Sequence, residues 1–284
     1  MIGKPLLFRK VTIIGVGLIG GSIGMAIKKE RLAREVVGYS RSHSSVNLAL
    51  KNGAIDEAVH DLKKALDGAD LVILATPVKT IVQMFPMISR FLKRGCIVMD
   101  VGSTKTAIVQ AAQKELPPYI FFVGCHPLTG SEKKGAANAS AELFLNSLCL
   151  ITPTDKTNNP SKERVKTLWS RIGAAIKFIS PAEHDKYLAY VSHVPHLVAY
   201  ALMAALPEDC LQLATPSLKD TTRVAASEPE LWADICMTNF KNILQALDDI
   251  IKHLSSYRKA IVSQDSNSLI ENFKKSKTRR DAIS

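Results

Sequence analysis

The stretch VTIIGVGLIGGSIGMAIKK, residues 11–29, decides the fold of this chain. It begins as an apolar run, passes through Gly15, Gly17 and Gly20, and continues with the periodicity of a helix. In this pattern the first glycine permits a tight turn, the second lets the backbone approach a pyrophosphate, and the third allows close packing of the helix on the strand. Free N–H groups at the start of such a helix bind phosphate. The sequence therefore predicts a dinucleotide site that includes Gly15, Gly17, Leu18, Ile19 and Gly20.

The remainder of the first 180 residues repeats this alternation of short apolar runs and helical patterns. Such alternation predicts an α/β fold, in which a doubly wound, mostly parallel sheet carries helices on both faces. Beyond Pro181 no segment has the pattern of a strand, and all 15 glycines lie at or before Gly173. We therefore expect a dinucleotide-binding domain over residues 1–180 and an all-helical domain over residues 181–284. The predicted strands begin at Val11, Glu35, Asp70, Cys96, Tyr119, Leu148 and Ala175.

The composition is that of a folded protein with a substantial core, since 46% of the 284 residues are hydrophobic and 22% are charged. The longest uninterrupted apolar stretch, residues 197–206, is about half as long as a membrane helix. The N-terminal apolar segment is too short for a secretory signal. Five cysteines occur without C-x-x-C spacing, which favours reduced thiols over disulfides or zinc. We expect a cytoplasmic protein with no membrane partner.

The chain is basic, with a formal net charge of +11 and an isoelectric point near 9.4. A basic surface attracts anions in general, so nucleic acid is one conceivable partner. Part of the excess lies in KKSKTRR, residues 274–280, which we interpret as a solvated tail. An anionic small substrate and a phosphorylated cofactor suit the charge equally well, and we expect no nucleic-acid partner.

The end of the second predicted strand bears on the choice of cofactor. An Asp or Glu at this place accepts a hydrogen bond from the ribose 2′-hydroxyl and selects NAD. This chain has Ser40, Arg41 and Ser42 instead, so no carboxylate would repel a 2′-phosphate and Arg41 could pair with one. The sequence favours NADP. The alternative is that NAD binds through Ser40 while Arg41 stacks on the adenine.

Polar residues also follow the next three predicted strands. Thr76 and Pro77 end the third, Ser103 follows the fourth in DVGSTK, and His126 follows the fifth in GCHPLTGSEKKG. Because ligands of open α/β sheets bind at the carboxyl ends of the strands, we expect these residues beside the cofactor, with His126 on a loop facing the crevice. An imidazole there suits a general base, although a structural role at the strand end is the alternative. Two candidates for substrate contact share the loop, Ser131 and Glu132.

The helical half carries a polar cluster within the apolar segment at residues 184–206. Ser192 and His196 are four residues apart, and His193 precedes His196 by three, so helical geometry places each pair on one face. Pro195 predicts a kink at the same place. The cluster indicates a pocket lining, or else core histidines with satisfied hydrogen bonds. No carboxylate stands at ligand spacing in SHVPH, so no metal is expected.

A second polar group lies in KDTTRVAASEPELW, residues 219–232. Arg223 is suited to bidentate recognition of a substrate carboxylate, and Trp232 follows nine residues later. The alternative for Arg223 is a salt bridge between helices.

Together, these motifs resemble those of the prephenate/arogenate dehydrogenase family of tyrosine biosynthesis. The resemblance rests on GVGLIGGSIG, DVGSTK, GCHPLTGSEKKG, SHVPHLVAYAL and KDTTRVAASEPELW, which occur in the family's order over nearly the whole chain. It implies an N-terminal Rossmann-type domain, a C-terminal helical domain that forms a homodimer, and NAD(P)-dependent oxidative decarboxylation of prephenate or arogenate.

The resemblance also implies roles for single residues. His126 matches the catalytic histidine that bonds the substrate's ring hydroxyl, Ser103 the serine that assists it, and Arg223 the arginine that holds a substrate carboxylate. The chain departs from the family at Ser40, where NAD-using members have an acid, and at residues 216–218, where Gly is frequent. The remaining matches are to substrate-side positions, namely His196, Ser192, Ser131, Glu132 and Trp232.

Two other functions are carried forward as alternatives. One is another Rossmann-type reductase, such as a β-hydroxyacid dehydrogenase, but these use a lysine in a Gly-rich helical context that this chain lacks. The other is a non-catalytic NADP-sensing or nucleic-acid-binding protein, supported only by the basic charge.

Overall fold

A computed structural model describes residues 5–129 and 135–283 of the chain. Its first half is built on one eight-stranded sheet with the order β3-β2-β1-β4-β5-β6-β7-β8. Neighbouring strands are parallel except β6 and β7, which are antiparallel. The predicted fold class is confirmed. The strands are β1 (Phe8–Ile14), β2 (Ala33–Tyr39), β3 (Glu57–Val59), β4 (Leu71–Leu74), β5 (Ile97–Asp100), β6 (Phe121–Leu128), β7 (Leu148–Thr152) and β8 (Ala175–Phe178).

All seven predicted strands are present, and the structure adds β3. This edge strand has only three residues and makes parallel pairs with β2, so its sequence shows no alternation that could have revealed it. Strand β6 is longer than predicted. Its pairing with β7 continues through His126, which lies opposite Leu150. The prediction that His126 stands on a loop is therefore wrong, because the antiparallel partner extends the strand beyond the apolar run.

Two layers of helices cover the sheet and create a core on each face. The first core joins the sheet to α1, α2 and α6, and the second joins it to α3, α4 and α5. This arrangement brings the start of α1 and the start of α4 to the same edge of the sheet. The helices of this half are α1 (Leu18–Lys29), α2 (His43–Lys51), α3 (Leu62–Leu66), α4 (Val78–Ile88), α5 (Thr106–Glu115) and α6 (Asn159–Arg171).

The second half contains helices and no strand among the residues that the structure describes. The helical pattern of residues 229–254 predicts one helix, but Asn239 separates α10 from α11 within it. The helical pattern of residues 210–226 corresponds to short 3₁₀ turns around α9. The helices are α7 (Pro181–Leu188), α8 (Val194–Ala205), α9 (Pro216–Thr222), α10 (Pro229–Thr238), α11 (Phe240–Val262) and α12 (Ser266–Asp281).

The predicted irregularity near Pro195 takes the form of a π-helical segment, Ala189–His193, between α7 and α8. Proline has no N–H for the carbonyl four residues earlier, and π-helical turns are one way in which a helix accommodates this loss. The extra residue in the turn rotates Ser192 and His193 relative to an ideal helix. Such turns are frequent at functional sites.

Taken as one run, Pro181–Ala205 is long and apolar enough to cross a membrane by length and composition alone. A single helix of this kind is weak evidence for a membrane span. The sequence analysis did not identify the segment because polar residues interrupt its apolar run. Those polar residues, His184, Asp185 and His193, are buried and hydrogen-bonded to other parts of the protein. Such bonds are what an internal helix of a folded domain requires.

Hydrogen bonds tie the helical half to the edge of the sheet where β4 and β5 end. The carboxylate of Asp185 accepts the backbone N–H groups of Lys105 and Thr106 at the start of α5. Asp234 on α10 accepts the N–H of Lys79 in the first turn of α4. Both helices thus receive a carboxylate at the positive end of their dipole from the other half of the protein.

Candidate active site

A cleft of about 860 Å³ lies between the carboxyl edge of the sheet and the helical half. This volume is typical of a pocket for a small organic ligand. Eleven of the residues predicted from sequence line it: Gly17, Leu18, Ile19, Thr76, Pro77, Ser103, His126, Ser192, His196, Arg223 and Trp232.

The glycine turn enters the cleft at the start of α1. Gly15 has a φ of +93°, and a Cβ there would lie 2.5 Å from the carbonyl oxygen of Ala75. A Cβ on Gly20 would lie 2.0 Å from the carbonyl oxygen of Gly15, so the tight turn predicted at Gly15 and the close packing predicted at Gly20 are both present. Gly17 faces open space and caps α1 without a side-chain hydrogen bond. The first N–H groups of α1 therefore face a place where a ligand's phosphates can approach the backbone, which fits a dinucleotide.

The ends of β4 and β5 form the floor of the cleft. Pro77 is the N-cap of α4, and Thr76 beside it has a buried hydroxyl without a hydrogen-bond partner in the structure. A buried hydroxyl in this state is a ready contact for a ligand. Ser103 follows β5 and is half-buried at the cleft wall.

Beneath the floor lies a fully buried ion pair between Lys105 and Asp100. The lysine also donates to the carbonyl oxygen of Cys125, at 2.8 Å, and Asp100 accepts the N–H of Gly102. Burial raises the pKa of the Asp100 carboxyl, and the ammonium group of Lys105 opposes that rise. The motif DVGSTK predicts Lys105 at the ligand edge together with Ser103, whereas the structure buries Lys105 against the strand that carries His126.

His126 is the first member of a hydrogen-bonded chain that crosses from the sheet to the helical half. Its Nδ1 lies 2.9 Å from Nε2 of His184, whose Nδ1 lies 2.9 Å from Oδ1 of Asp185. His184 and Asp185 are both buried, and they belong to α7. The sequence analysis included both residues in a helix and gave neither a role.

Burial sets the ionisation of these groups. It lowers the pKa of His126 well below its usual range, and two neighbours, first the His184 ring and then the Lys105 ammonium group, act in the same direction. Burial also lowers the pKa of His184, while the hydrogen bond to Asp185 opposes that change. Burial alone would raise the pKa of Asp185, but its hydrogen bonds outweigh burial and hold the pKa below the ordinary value. At neutral pH the two rings are thus neutral and the carboxylate is ionised.

On the helical side, His196 stacks on Trp232, with ring centroids 3.6 Å apart. Its Nδ1 donates to the carbonyl oxygen of Ser192 at 2.9 Å, which leaves Nε2 as the acceptor of this ring. The fold thus brings together three of the four residues predicted as substrate contacts in the helical half, namely His196, Ser192 and Trp232. Burial lowers the pKa of His196, and the charge of Arg223 adds to this effect.

His193 does not share this stacking. It is buried, its Nδ1 lies 3.2 Å from the side-chain nitrogen of Asn239, and burial lowers its pKa to about 4. The same amide group of Asn239 donates to the backbone carbonyl of Asp185. His193 therefore touches the cleft mainly as part of its supporting wall.

Arg223 begins a 3₁₀ turn directly after α9 and is exposed at the opening of the cleft. It lies in the same cleft as His126, although the two residues belong to different halves of the chain. The residues of the described cleft wall that carry a full charge are Arg223 and Glu228.

Some predicted residues lie elsewhere. Ser40, Arg41 and Ser42 follow β2, one strand away from the cleft wall, and Ser42 is the N-cap of α2. This position is the adenosine end expected for a nucleotide that crosses the edge of the sheet. Ser131 and Glu132 lie outside the residues that the structure describes. Within the described ranges, no group of three or more His, Cys, Asp and Glu side chains could hold a metal ion.

Three supporting residues escaped the sequence analysis: His184, Asp185 and Asn239. A signal was present in the dipeptide His184-Asp185, because adjacent ionisable residues in the first turns of an otherwise apolar helix must be exposed or paired. Nothing local indicated that their partner was His126, which lies 58 residues earlier.

The glycine turn on a doubly wound sheet, open to a cleft closed by a helical half, defines a two-domain nicotinamide nucleotide dehydrogenase. Comparison with known families agrees with this class. Residues 23–178 match the family model described as "Prephenate dehydrogenase, nucleotide-binding domain", and residues 180–275 match "Prephenate dehydrogenase, dimerization domain". The chain belongs to the prephenate dehydrogenase family.

Individual relatives support the same assignment. The chain is 34% identical to the prephenate dehydrogenase of Bacillus subtilis, over 96% of this chain and 76% of the relative. It is 36% identical to the cyclohexadienyl dehydrogenase of Zymomonas mobilis, over 97% and 96% of the two chains. The crystal structure of the A. aeolicus prephenate dehydrogenase with hydroxyphenyl propionate and NAD⁺ superposes with a TM-score of 0.89, at 32% identity and 99% and 100% coverage. These findings favour the family over both alternative functions considered from sequence.

The buried ion pair yields a test of the site's electrostatics. Replacing Lys105 with Met leaves the Asp100 carboxyl buried without its cation, and we expect the free energy of unfolding at pH 7 to fall by about 3–5 kcal/mol. Without the lysine, the folded-state pKa of Asp100 stays above its unfolded value. The variant therefore keeps its stability at pH values below the unfolded-state pKa of Asp100 and loses stability as the pH rises through the folded-state pKa of this group. Urea unfolding at several pH values measures this loss, which should shrink towards pH ~4.

Lys114→Met is the matched control, because Lys114 is 81% exposed and forms a surface ion pair with the adjacent Glu115. We expect its effect on the free energy of unfolding to stay within about 0.5 kcal/mol at every pH. A Lys105→Met protein as stable at pH 7 as the unaltered protein would contradict the assigned role of the ion pair.

Proposed function

We propose that this protein catalyses the NAD(P)-dependent oxidative decarboxylation of prephenate, arogenate or both, giving 4-hydroxyphenylpyruvate or tyrosine. The observation that carries the proposal is the position of His126 and Arg223 in one cleft, beside the glycine turn. A base, a cation for a carboxylate and a dinucleotide turn are the three elements that this reaction needs. Membership of the family supports the same reaction.

The nucleotide would lie along the edge of the sheet. Its pyrophosphate would bind the N–H groups at Gly17, Leu18 and Ile19, and its nicotinamide end would lie near Thr76, Pro77 and Ser103. The open space over Gly17 and the unpartnered hydroxyl of Thr76 support this placement. When bound, the nicotinamide ring accepts a hydride from the substrate.

The chain's own residues would bind the substrate and move a proton. Through Nε2, His126 would accept the proton of the substrate's ring hydroxyl while a hydride leaves the ring carbon that bears this hydroxyl. Loss of the ring carboxylate as carbon dioxide would then make the ring aromatic, which drives the reaction forward, and the proton held by His126 would return to the phenolate oxygen of the product. Ser103 would hydrogen-bond near the same hydroxyl. The low pKa of His126 keeps its ring neutral, as a base must be before it accepts a proton.

The helical half would hold the substrate's anionic groups. Arg223 would pair with a carboxylate, and the Nε2 atom of His196 and the hydroxyl of Ser192 would contact the substrate's polar atoms. The stack of His196 on Trp232 supports this role, because it fixes the imidazole ring at the cleft wall. Ser131 and Glu132 remain proposed contacts on the basis of the sequence alone.

For the cofactor, we keep NADP as the preferred nucleotide and NAD as possible. Arg41 is exposed where β2 ends, and neither Ser40 nor Ser42 carries a negative charge that would repel a 2′-phosphate. The A. aeolicus relative was crystallised with NAD⁺. Its cofactor does not transfer directly, since Ser40 replaces the acid expected in NAD-using members.

We also propose a division at residues 180 and 181, a homodimer formed by the helical half, and a cytoplasmic location. The family model matched by residues 180–275 is described as a dimerization domain. Large apolar side chains are exposed along α10 and α11, which supports burial against a second copy. Examples are Met237, Leu244, Ile251 and Leu254.

A spectrophotometric assay that crosses prephenate and arogenate with NAD and NADP tests the proposal. We expect turnover with at least one substrate and a higher kcat/KM with NADP. Ser40→Asp should reverse the cofactor preference, since the carboxylate would repel a 2′-phosphate and accept from a ribose hydroxyl. No turnover in any of the four combinations would contradict the function, and a strong preference of the unaltered protein for NAD would contradict the cofactor assignment alone.

His126→Asn removes the proposed base and keeps a polar side chain of similar size. We expect kcat to fall by about 10²–10⁴-fold, because general base catalysis typically contributes this factor, while the cofactor Kd is unchanged. His253→Asn on the exposed face of α11 is the control and should retain full turnover. Near-normal turnover of the His126 variant would remove this residue from the mechanism.

Arg223→Ala removes the proposed carboxylate contact. A lost charge-assisted hydrogen bond weakens affinity by about 10–150-fold, so we expect KM for the substrate to rise by that factor. Lys219→Ala, an exposed cation one turn earlier and outside the cleft wall, should leave KM unchanged. If the Arg223 variant keeps both its KM and its kcat, another group must bind the carboxylate.

A further inference from the structure

The hydrogen bonds behind His126 have only one self-consistent direction while both rings are neutral. Asp185 is ionised and can only accept, so Nδ1 of His184 must carry the hydrogen that lies between them. A neutral His184 then has a bare Nε2 that can only accept. The hydrogen between the two rings must therefore reside on Nδ1 of His126. This leaves Nε2 of His126 without a hydrogen.

We propose that His184, oriented by Asp185, is a positioning residue that fixes His126 in the tautomer with hydrogen on Nδ1. The inference rests on the proposed role of His126 as the base. In this tautomer the nitrogen that can take a substrate proton is Nε2, the ring atom opposite the bond to His184. The other neutral tautomer would direct an N–H at the substrate and could not act as a base.

The carboxylate that orients His184 is itself held in place. Asp185 accepts from the backbone N–H groups of Lys105, at 2.7 Å, and Thr106, at 2.8 Å, and its own backbone carbonyl accepts from Asn239. These groups come from both halves of the protein. The arrangement therefore exceeds what a helix cap needs, because one carboxylate oxygen both caps α5 and accepts from His184.

After Nε2 of His126 accepts the substrate proton, the Nδ1–H of the resulting imidazolium remains bonded to His184. This bond becomes charge-assisted and stabilises the cation. Further transfer to His184 is opposed by burial and by Lys105, and favoured by Asp185 and Asp100. His193 is the other titratable group facing this cluster. His184 thus acts chiefly by orienting and stabilising His126.

His126 belongs to the sheet, whereas His184 and Asp185 belong to the first helix of the other half. The tautomer that makes His126 a base is consequently defined only where the two halves pack together. The structure in this way makes the base dependent on correct docking of the helical half onto the start of α5.

The tautomer can be measured directly. Long-range ¹H–¹⁵N correlation spectra of the full-length protein labelled with ¹⁵N-histidine distinguish the two neutral forms, and the His126→Asn spectrum assigns the resonances. We expect His126 and His184 of the unaltered protein to carry hydrogen on Nδ1 at pH 7.5. Hydrogen on Nε2 of His126 would overturn the proposal, and this measurement requires no change at position 184.

Kinetics give the second test. His184→Phe keeps a ring but removes the acceptor, so we expect kcat to fall by about 10–150-fold with the cofactor Kd unchanged. The acidic limb of the kcat/KM profile should move to lower pH, because the protonated His126 loses its acceptor. His184→Gln, whose amide oxygen can reach the position of Nε2, should recover most of kcat, and Lys186→Met on the exposed face of α7 should match the unaltered protein.

Equal losses of kcat in the Phe and Gln variants, with KM raised to the same extent in both, would show structural support alone and overturn the proposal. The spectra also separate this inference from the proposed function. If the crossed assay shows no turnover but His126 carries its hydrogen on Nδ1, the reaction is wrong and the orienting contact stands. If turnover is present and His126 carries its hydrogen on Nε2, the function stands and the orienting role fails.

Discussion

The carboxylate of Asp185 is the contact on which the arrangement of the site depends. This carboxylate joins the start of α5 to the His184 ring. The backbone carbonyl of the same residue accepts a hydrogen bond from Asn239 at the boundary of α10 and α11. A buried carboxylate is costly unless each of its hydrogen-bonding positions is filled. Because donors from both halves fill these positions, the two halves have one favourable relative placement. The position of His126 relative to Arg223 follows from that placement.

The buried charged groups beneath the cleft floor are also held by hydrogen bonds from several elements. Lys105 supplies its backbone N–H to Asp185 and its side-chain ammonium to Asp100 and to the carbonyl of Cys125. Lys105 therefore connects three parts of the protein: the helical half, the sheet interior and the strand that bears His126. Buried polar networks of this kind are favourable only when nearly all members are satisfied, and they specify one geometry in return. This specificity accounts for the fixed position of His126, which lies on a strand and lines the cleft.

Local patterns predicted the parts of the fold that depend on neighbouring residues. The glycine turn, the seven recognised strands and the all-helical second half all carry their signals within short stretches of sequence. The extension of β6 depends on its pairing with β7, and β3 is three residues long, so neither had a local signal. The break between α10 and α11 also coincides with non-local contacts, since the side-chain amide of Asn239 donates to the backbone carbonyl of Asp185 and lies beside His193.

The candidate site shows the same division. Gly17, Thr76, Ser103 and His126 could be located because strand ends of a parallel sheet meet at one edge, and the paired spacing in SHVPH located His196. His184 could not be assigned, because its function is defined by a partner on another element. Its partner, His126, was predicted on a loop facing the crevice. Sequence reasoning thus found the residues that line the cleft more readily than the residues that hydrogen-bond to them from other elements.

The candidate site and the rest of the protein differ in the charge that they carry. The described wall of the cleft has one cation, Arg223, and one anion, Glu228, beside histidines whose pKa values are lowered by burial. The net charge of +11 therefore lies mostly outside the described cleft wall. A diffuse positive surface attracts an anionic substrate and a phosphorylated cofactor over a distance comparable to the Debye length, about 10 Å. Within the cleft, the neutral rings leave Arg223 as the cation of the described wall, so that in the proposed reaction the orientation of a carboxylate would depend on one directional contact and on the ordered ring of His126.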